Sequence, residues 1–140
     1  WDKVVDGRTV SADRIERKGR SIVVPRATTD TARFTFAQLC DAPLGASDYL
    51  AIAEKYPTIF IDKVPVIGKG ERNLAKRFIL LVDVLYDKHN RLFLSAEAPI
   101  EDLYAAGTGT EKFEFARTVS RLTEMQDEAY LEASRAGSNA

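Results

Sequence analysis

Residues 57–99, PTIFIDKVPVIGKGERNLAKRFILLVDVLYDKHNRLFLSAEAP, constrain this chain most, because two short apolar runs flank one long amphipathic stretch. Thr58, Ile59, Phe60 and Ile61 are β-branched or aromatic and lie between Pro57 and Asp62, the pattern of a strand buried on both faces. Leu92, Phe93 and Leu94 repeat it within Arg91 to Ser95. The residues between make about five helical turns, enough to cross a sheet and bring the second strand back parallel to the first. On a helical wheel Leu74, Phe78, Leu81, Val82 and Leu85 share one face, with Lys76, Asp83 and Asp87 opposite. A central βαβ unit is predicted, with strands near 58–62 and 91–95 and a helix near 71–87. Arg77 falls among the apolar positions, where a charge must find a partner, snorkel, or reach a site.

The flanks extend this unit to an α/β domain with a partly parallel sheet. At 140 residues, 45% of them hydrophobic and 29% charged, the chain is read as a single domain able to bury its own core. Within it, 1–32 is a β-rich hairpin region and 33–135 the α/β body. Ile15 to Lys18, Gly19, and Ser21 to Val24 read as an amino-terminal hairpin that Pro25 ends, and Asp6-Gly7 is an earlier turn signal. Arg14, Arg17, Lys18, Arg20 and Arg26 crowd the hairpin, either as the charges of an exposed edge or as a local basic surface. Arg33 to Phe36 reads as a strand running into a short helix at Gln38 and Leu39. A further helix is expected with Ser47 as cap, Asp48 in its first turn, and Pro57 closing it. A short helix is expected within Glu97 to Tyr104, then a loop at Gly107 to Thr110. The carboxyl-terminal helix begins near Phe113, with Phe115, Val119, Leu122, Met125 and Ala129 on one face and Arg117, Arg121, Glu124 and Glu128 on the other; Ala136 to Ala140 is a frayed tail.

Several chemistries are disfavoured by composition. A net charge of −1 argues against broad electrostatic capture of nucleic acid, so no nucleic-acid partner is expected. One cysteine, Cys40, and one histidine, His89, provide neither an intrachain disulfide nor a zinc cluster, and no metal site is expected. Cys40 reads as a small buried hydrophobe, and His89 as a solvated turn residue. No run approaches the length of a transmembrane helix, so a soluble protein is expected, and the single cysteine fits a reducing, cytoplasmic compartment. Gly68-Lys69-Gly70 invites a phosphate-loop reading, but the two glycines five apart followed by Lys and Ser/Thr are missing, which leaves a flexible connection. Asp62 and Ser95, at the carboxyl ends of the two predicted parallel strands, occupy the positions where open α/β sheets place ligand-binding groups.

The blocks FTFAQLCDAPLGASDYLAIA (34–53), RNLAKRFILLVDVLYD (72–87), LFLSAEAP (92–99) and FEFARTVSRLTEM (113–125) resemble the carboxyl-terminal part of the ZapE cell-division ATPases and their mitochondrial lactation-elevated relatives. With Trp1 in place of an initiator Met, the resemblance implies a carboxyl-terminal fragment of a longer AAA+ P-loop ATPase whose nucleotide-binding domain lies upstream. It implies ATP and Mg2+ as cofactors of the parent protein and none for the fragment. Asp62 followed by Lys63, and Ser95-Ala96, look like a degenerate copy of that family's Walker B and sensor strands. Lacking the Walker A loop, this chain alone is expected to be inactive toward ATP, serving in domain docking, assembly or partner binding. Arg77, Arg117 and Arg121 are the candidates for arginine-finger-like contacts to the nucleotide domain. The resemblance further implies the division protein FtsZ as a bacterial partner, a homo-oligomer for the full-length protein, and, in a eukaryote, a mitochondrial location with a role in protein quality control. Two other readings stay open: an independent small-molecule enzyme with its site at Asp62 and Ser95, and a structural interaction module.

Overall fold

The computed structural model describes residues 11–17, 20–42, 44–68, 70–104 and 110–126. Strands β1 (Ser11–Arg17), β2 (Arg20–Ala27), β3 (Thr31–Thr35), β4 (Thr58–Val64) and β5 (Arg91–Ala96) form one sheet in chain order. The first three strands are antiparallel neighbours, whereas β3, β4 and β5 run parallel. Helices α1 (Phe36–Cys40) and α2 (Ala46–Lys55) connect β3 to β4, and α3 (Arg72–Asp87) connects β4 to β5. A single 3-10 turn, Ile100–Asp102, precedes α4 (Thr110–Glu124). The predicted βαβ unit is therefore present, with its two strands in parallel register from Thr58 opposite Arg91 to Ile61 opposite Leu94.

Both crossovers advance in the same direction across the sheet, so right-handed connections place their helices on one face. Strand alternation agrees: Ala32, Phe34, Ile59 and Ile61 are buried under the helices, while Arg33, Thr35, Phe60, Asp62 and Phe93 point the other way. From α3, Ala75, Phe78, Ile79, Leu81, Val82 and Leu85 enter this core. Phe78 lies between Phe36, at 5.8 Å, and Phe115 of α4, at 6.1 Å, and so joins the layer over the sheet to the last helix. Thr35 caps α1 by the reciprocal arrangement in which its hydroxyl accepts from Gln38 N–H and the Gln38 side chain accepts from Thr35 N–H.

Four local expectations are corrected. Pro25 does not end the hairpin: β2 continues to Ala27, because Val24 to Ala27 is set against only Ser11 to Asp13, a bulge that tolerates the missing N–H. Gly45, not Ser47, is the N-cap of α2, and the Asp48 carboxylate accepts from Gly45 N–H at 2.9 Å. Only the 3-10 turn forms within Glu97 to Tyr104, and α4 starts at Thr110, ahead of Phe113. The expected features at Asp6-Gly7, Lys18-Gly19, Lys69, residues 107–109, and from Glu128 onward lie outside the described residues.

The amino-terminal hairpin is fastened to α2 by Asp13, whose carboxylate meets Lys55 Nζ at 2.8 Å and accepts a short hydrogen bond from Tyr56. The Lys55 contact first, then the Tyr56 hydroxyl, hold the Asp13 carboxyl down at about 2, and burial pushes the Tyr56 phenol upward. Because the folded-state value of Asp13 is depressed, its contribution is complete above the unfolded value near ~4 and is lost as pH falls toward about 2. Urea midpoints are expected to drop across that window, and Asp13→Asn to flatten the drop; the effect is modest because Asp13 is half-exposed.

Candidate functional site

The carboxyl ends of β3, β4 and β5 bring together side chains that are far apart in the chain. Arg33 Nε donates to Asp62 Oδ2 at 2.5 Å, and Ser95 Oγ donates to Asp62 Oδ1 at 3.4 Å. Ser95 Oγ also accepts from Lys63 N–H at 3.0 Å. This last bond follows from a break in β4: Lys63 is left-handed, with φ 60°, and the register to β5 shifts between Ile61 and Val64. For a lysine that conformation costs about 1–2 kcal/mol. It leaves Lys63 exposed beside a cleft of about 410 Å³ lined by Thr35, Phe36, Ala37, Asp41, Lys63, Pro65, Glu71 and Leu74. Asp62 and Ser95 are thus neighbours, as their shared position at the strand ends suggests. Arg33 is the member that the sequence reading missed; its signal was a charge alternating with Ala32 and Phe34, the mark of the face without helices.

Chemically this cluster is self-satisfied. A carboxylate held by a guanidinium and a hydroxyl has little left for a hard cation, and the described residues contain no group of three His, Cys, Asp or Glu side chains arranged to hold a metal. In the segment from β4 into α3, where a phosphate loop would stand, two backbone amides are already taken by carboxylates. Gly68 N–H donates to Glu71 Oε1 at 2.9 Å and Val66 N–H donates to Glu97 Oε2 at 3.1 Å. These two amides face carboxylates of the chain itself, which would repel a phosphate at that point. With Asp62 held by Arg33 and these two amides held by Glu97 and Glu71, the strand-end cluster does not fit a magnesium triphosphate.

The three candidate arginines occupy different environments. Arg77 Nη1 donates to the Cys40 carbonyl at 3.1 Å, supporting the end of α1. Arg121 reaches across from α4 to ion-pair with Asp83 of α3 and lies over the Tyr86 ring at 5.2 Å, while Tyr86 donates to Glu124 at 2.7 Å. Arg117 is exposed on α4 and has no ion-pair partner among the described residues. Arg117 and Arg121 therefore do not converge on one anion, although they are one helical turn apart. Cys40 is fully buried, and burial pushes its thiol up to about 12, which leaves it unreactive at neutral pH. His89 is exposed, with φ 57°, just before β5 and at the opposite end of that strand from Ser95. No helix among the described residues is long and apolar enough to cross a membrane.

A family model described as AFG1-like ATPase matches residues 1–134. The cell division protein ZapE of Escherichia coli K12 is 34% identical over 131 residues, covering 94% of this chain and 34% of that protein. Lactation elevated protein 1 homolog B of Danio rerio is 35% identical over 143 residues, covering 81% of this chain and 28% of that protein. An uncharacterized protein of Schizosaccharomyces pombe is 34% identical over 145 residues, covering 85% of this chain and 32% of its own length. The chain thus spans about a third of the length of these relatives. No solved structure matches. With the family model matching nearly the whole sequence and such relatives aligned along most of it, the chain belongs to the AFG1-like ATPase family.

Proposed function

We propose that this chain is a non-hydrolysing α/β part of a longer ATPase, docking against the domain that binds nucleotide and assisting turnover there. One observation carries the reading: the strand-end carboxylate is matched by Arg33, and the Val66 and Gly68 amides of the loop after β4 are matched by Glu97 and Glu71, so the crossover is built to hold its own shape. Of the three arginines, Arg117 has an exposed side chain on a helix that α3 anchors from behind, which suits it to reach another domain and stabilise phosphoryl charge there. For a bacterial source the reading extends to cell division, the role named for the Escherichia coli relative, with FtsZ as the partner to be tested.

Two measurements test it. Calorimetric titration of ATP and magnesium into the 140-residue chain is expected to give no binding heat; a saturable isotherm would overturn the reading that nucleotide is bound by another domain. In the full-length protein Arg117→Ala is expected to lower kcat for ATP by at least about tenfold at unchanged melting temperature. Unchanged turnover would remove Arg117 from the proposal.

A further inference from the structure

Strand β5 is the outermost strand on its side of the sheet among the described residues, and no described strand pairs with its outer edge. Leu92-Phe93-Leu94-Ser95-Ala96 carries no charge and no proline, and the irregularity between β4 and β5 is absorbed entirely by β4. Arg91 N–H donates to the Pro57 carbonyl and Glu97 N–H to the Val64 carbonyl, each at 2.9 Å. The odd-numbered residues therefore turn their backbone toward β4, and Leu92, Leu94 and Ala96 turn N–H and C=O to the open edge. Both faces of that edge are apolar. On the helix side a groove of about 280 Å³ is lined by Leu92, Leu94, Ala96, Leu122 and Met125 among others. On the other side Phe93, 37% exposed, stacks on Phe60 at 4.6 Å.

We propose that this edge pairs with the same edge of a second copy, β5 against β5, antiparallel about a twofold axis at Leu94. The choice of a second copy rests on charge complementarity. In this register the outward-turned residues meet one another, Leu94 opposite Leu94 and Leu92 opposite Ala96, so each free backbone group finds a partner. Arg91 of each copy then lies opposite Glu97 of the other, giving two symmetric ion pairs. Moving the axis to Phe93 sets Arg91 against Ser95, and moving it to Ser95 sets Arg91 against Pro99; both lose the pairs. The Arg91 guanidinium lies on the uncovered face, 5.5 Å from the Phe93 ring, and Glu97 is exposed at the other end of the strand, with Oε2 engaged by Val66 N–H. Leu94 and Ala96 of the second copy extend the apolar surface at the groove beside Leu122 and Met125.

Sedimentation velocity of the 140-residue chain from about 1 to 200 µM is expected to show monomer passing to dimer with concentration. Arg91→Glu is expected to raise the dimer Kd at least about tenfold, and Arg91→Glu with Glu97→Arg to restore it to within about threefold of the parent. Among the described residues the Arg91 side chain holds no backbone group, so Arg91→Glu should leave circular dichroism unchanged. Because Glu97 accepts from Val66 N–H, Glu97→Gln, which keeps an acceptor for that amide and removes only the charge, is the matching control and is expected to raise the dimer Kd as Arg91→Glu does. Since Cys40 is buried, Leu94→Cys supplies the accessible thiol and is expected to give a disulfide-linked dimer on mild oxidation. A monomer at every concentration, a dimer indifferent to Arg91→Glu, or a double charge reversal without recovery would each overturn the proposal.

Discussion

Phe78→Ala is expected to cost about 3–5 kcal/mol and to lower the melting temperature by about 10–15 °C, the largest effect of any single truncation considered. The side chain is fully buried and sits where three layers meet. Phe36 of α1 lies against it from above β3, and Phe115 of α4 from the outer side. Removing the ring leaves a cavity that α1 cannot close, because its start is held by the Thr35 and Gln38 cap and its end by Arg77 on the Cys40 carbonyl. Phe78→Leu keeps most of the volume and should cost less than half as much. Chemical denaturation followed by far-UV circular dichroism measures both, and equal midpoints for Phe78→Ala and the parent would show that the α3–α4 layer does not contribute to global stability.

Asn90→Leu is expected to be nearly as damaging, about 2–4 kcal/mol, although no charge and little volume change. Asn90 is 2% exposed, and its Nδ2 donates to the Tyr56 carbonyl at 2.7 Å and the Ala53 carbonyl at 3.1 Å. One amide thus serves the end of α2 while its own N–H donates to the Leu85 carbonyl at the end of α3. A leucine of similar size leaves two buried acceptors without that donor. Asn90→Asp separates hydrogen bonding from packing: at neutral pH its carboxylate would face the same carbonyls, so its unfolding midpoint should rise as pH is lowered and the group protonates. A midpoint for Asn90→Leu equal to the parent's would remove the assigned role.

These two residues differ in how visible they were beforehand. Phe78 stands on the apolar stripe of a helix whose period is plain in the sequence, so its burial could be anticipated, though not its two aromatic neighbours. Asn90 follows His89 in what reads as a polar turn, and nothing local marks it as buried. Its role depends on α2 ending where α3 ends, which is a property of packed layers. The strand-end cluster divides in the same way. Asp62 and Ser95 could be paired in advance because parallel strands align their carboxyl ends. Arg33 is 29 residues from Asp62, and its contact exists only because β3 is the neighbour of β4.

From its residues alone this chain was legible as a crossover of two apolar strands and an amphipathic helix, with β structure before it, a helix after it, and the ordered blocks of an ATPase family. Those features follow from periodicity and from matches along the chain, which need no knowledge of what lies opposite. The tertiary structure decided that both crossovers lie on one face, that Asp62 is neutralised by Arg33, that Glu71 and Glu97 take the amides before α3, and that Arg121 belongs to Asp83 while Arg117 stays exposed. Each depends on the register of strands and the facing of helices, where a shift of one residue changes every partner, and such choices are made by the packed layers together rather than by any local stretch.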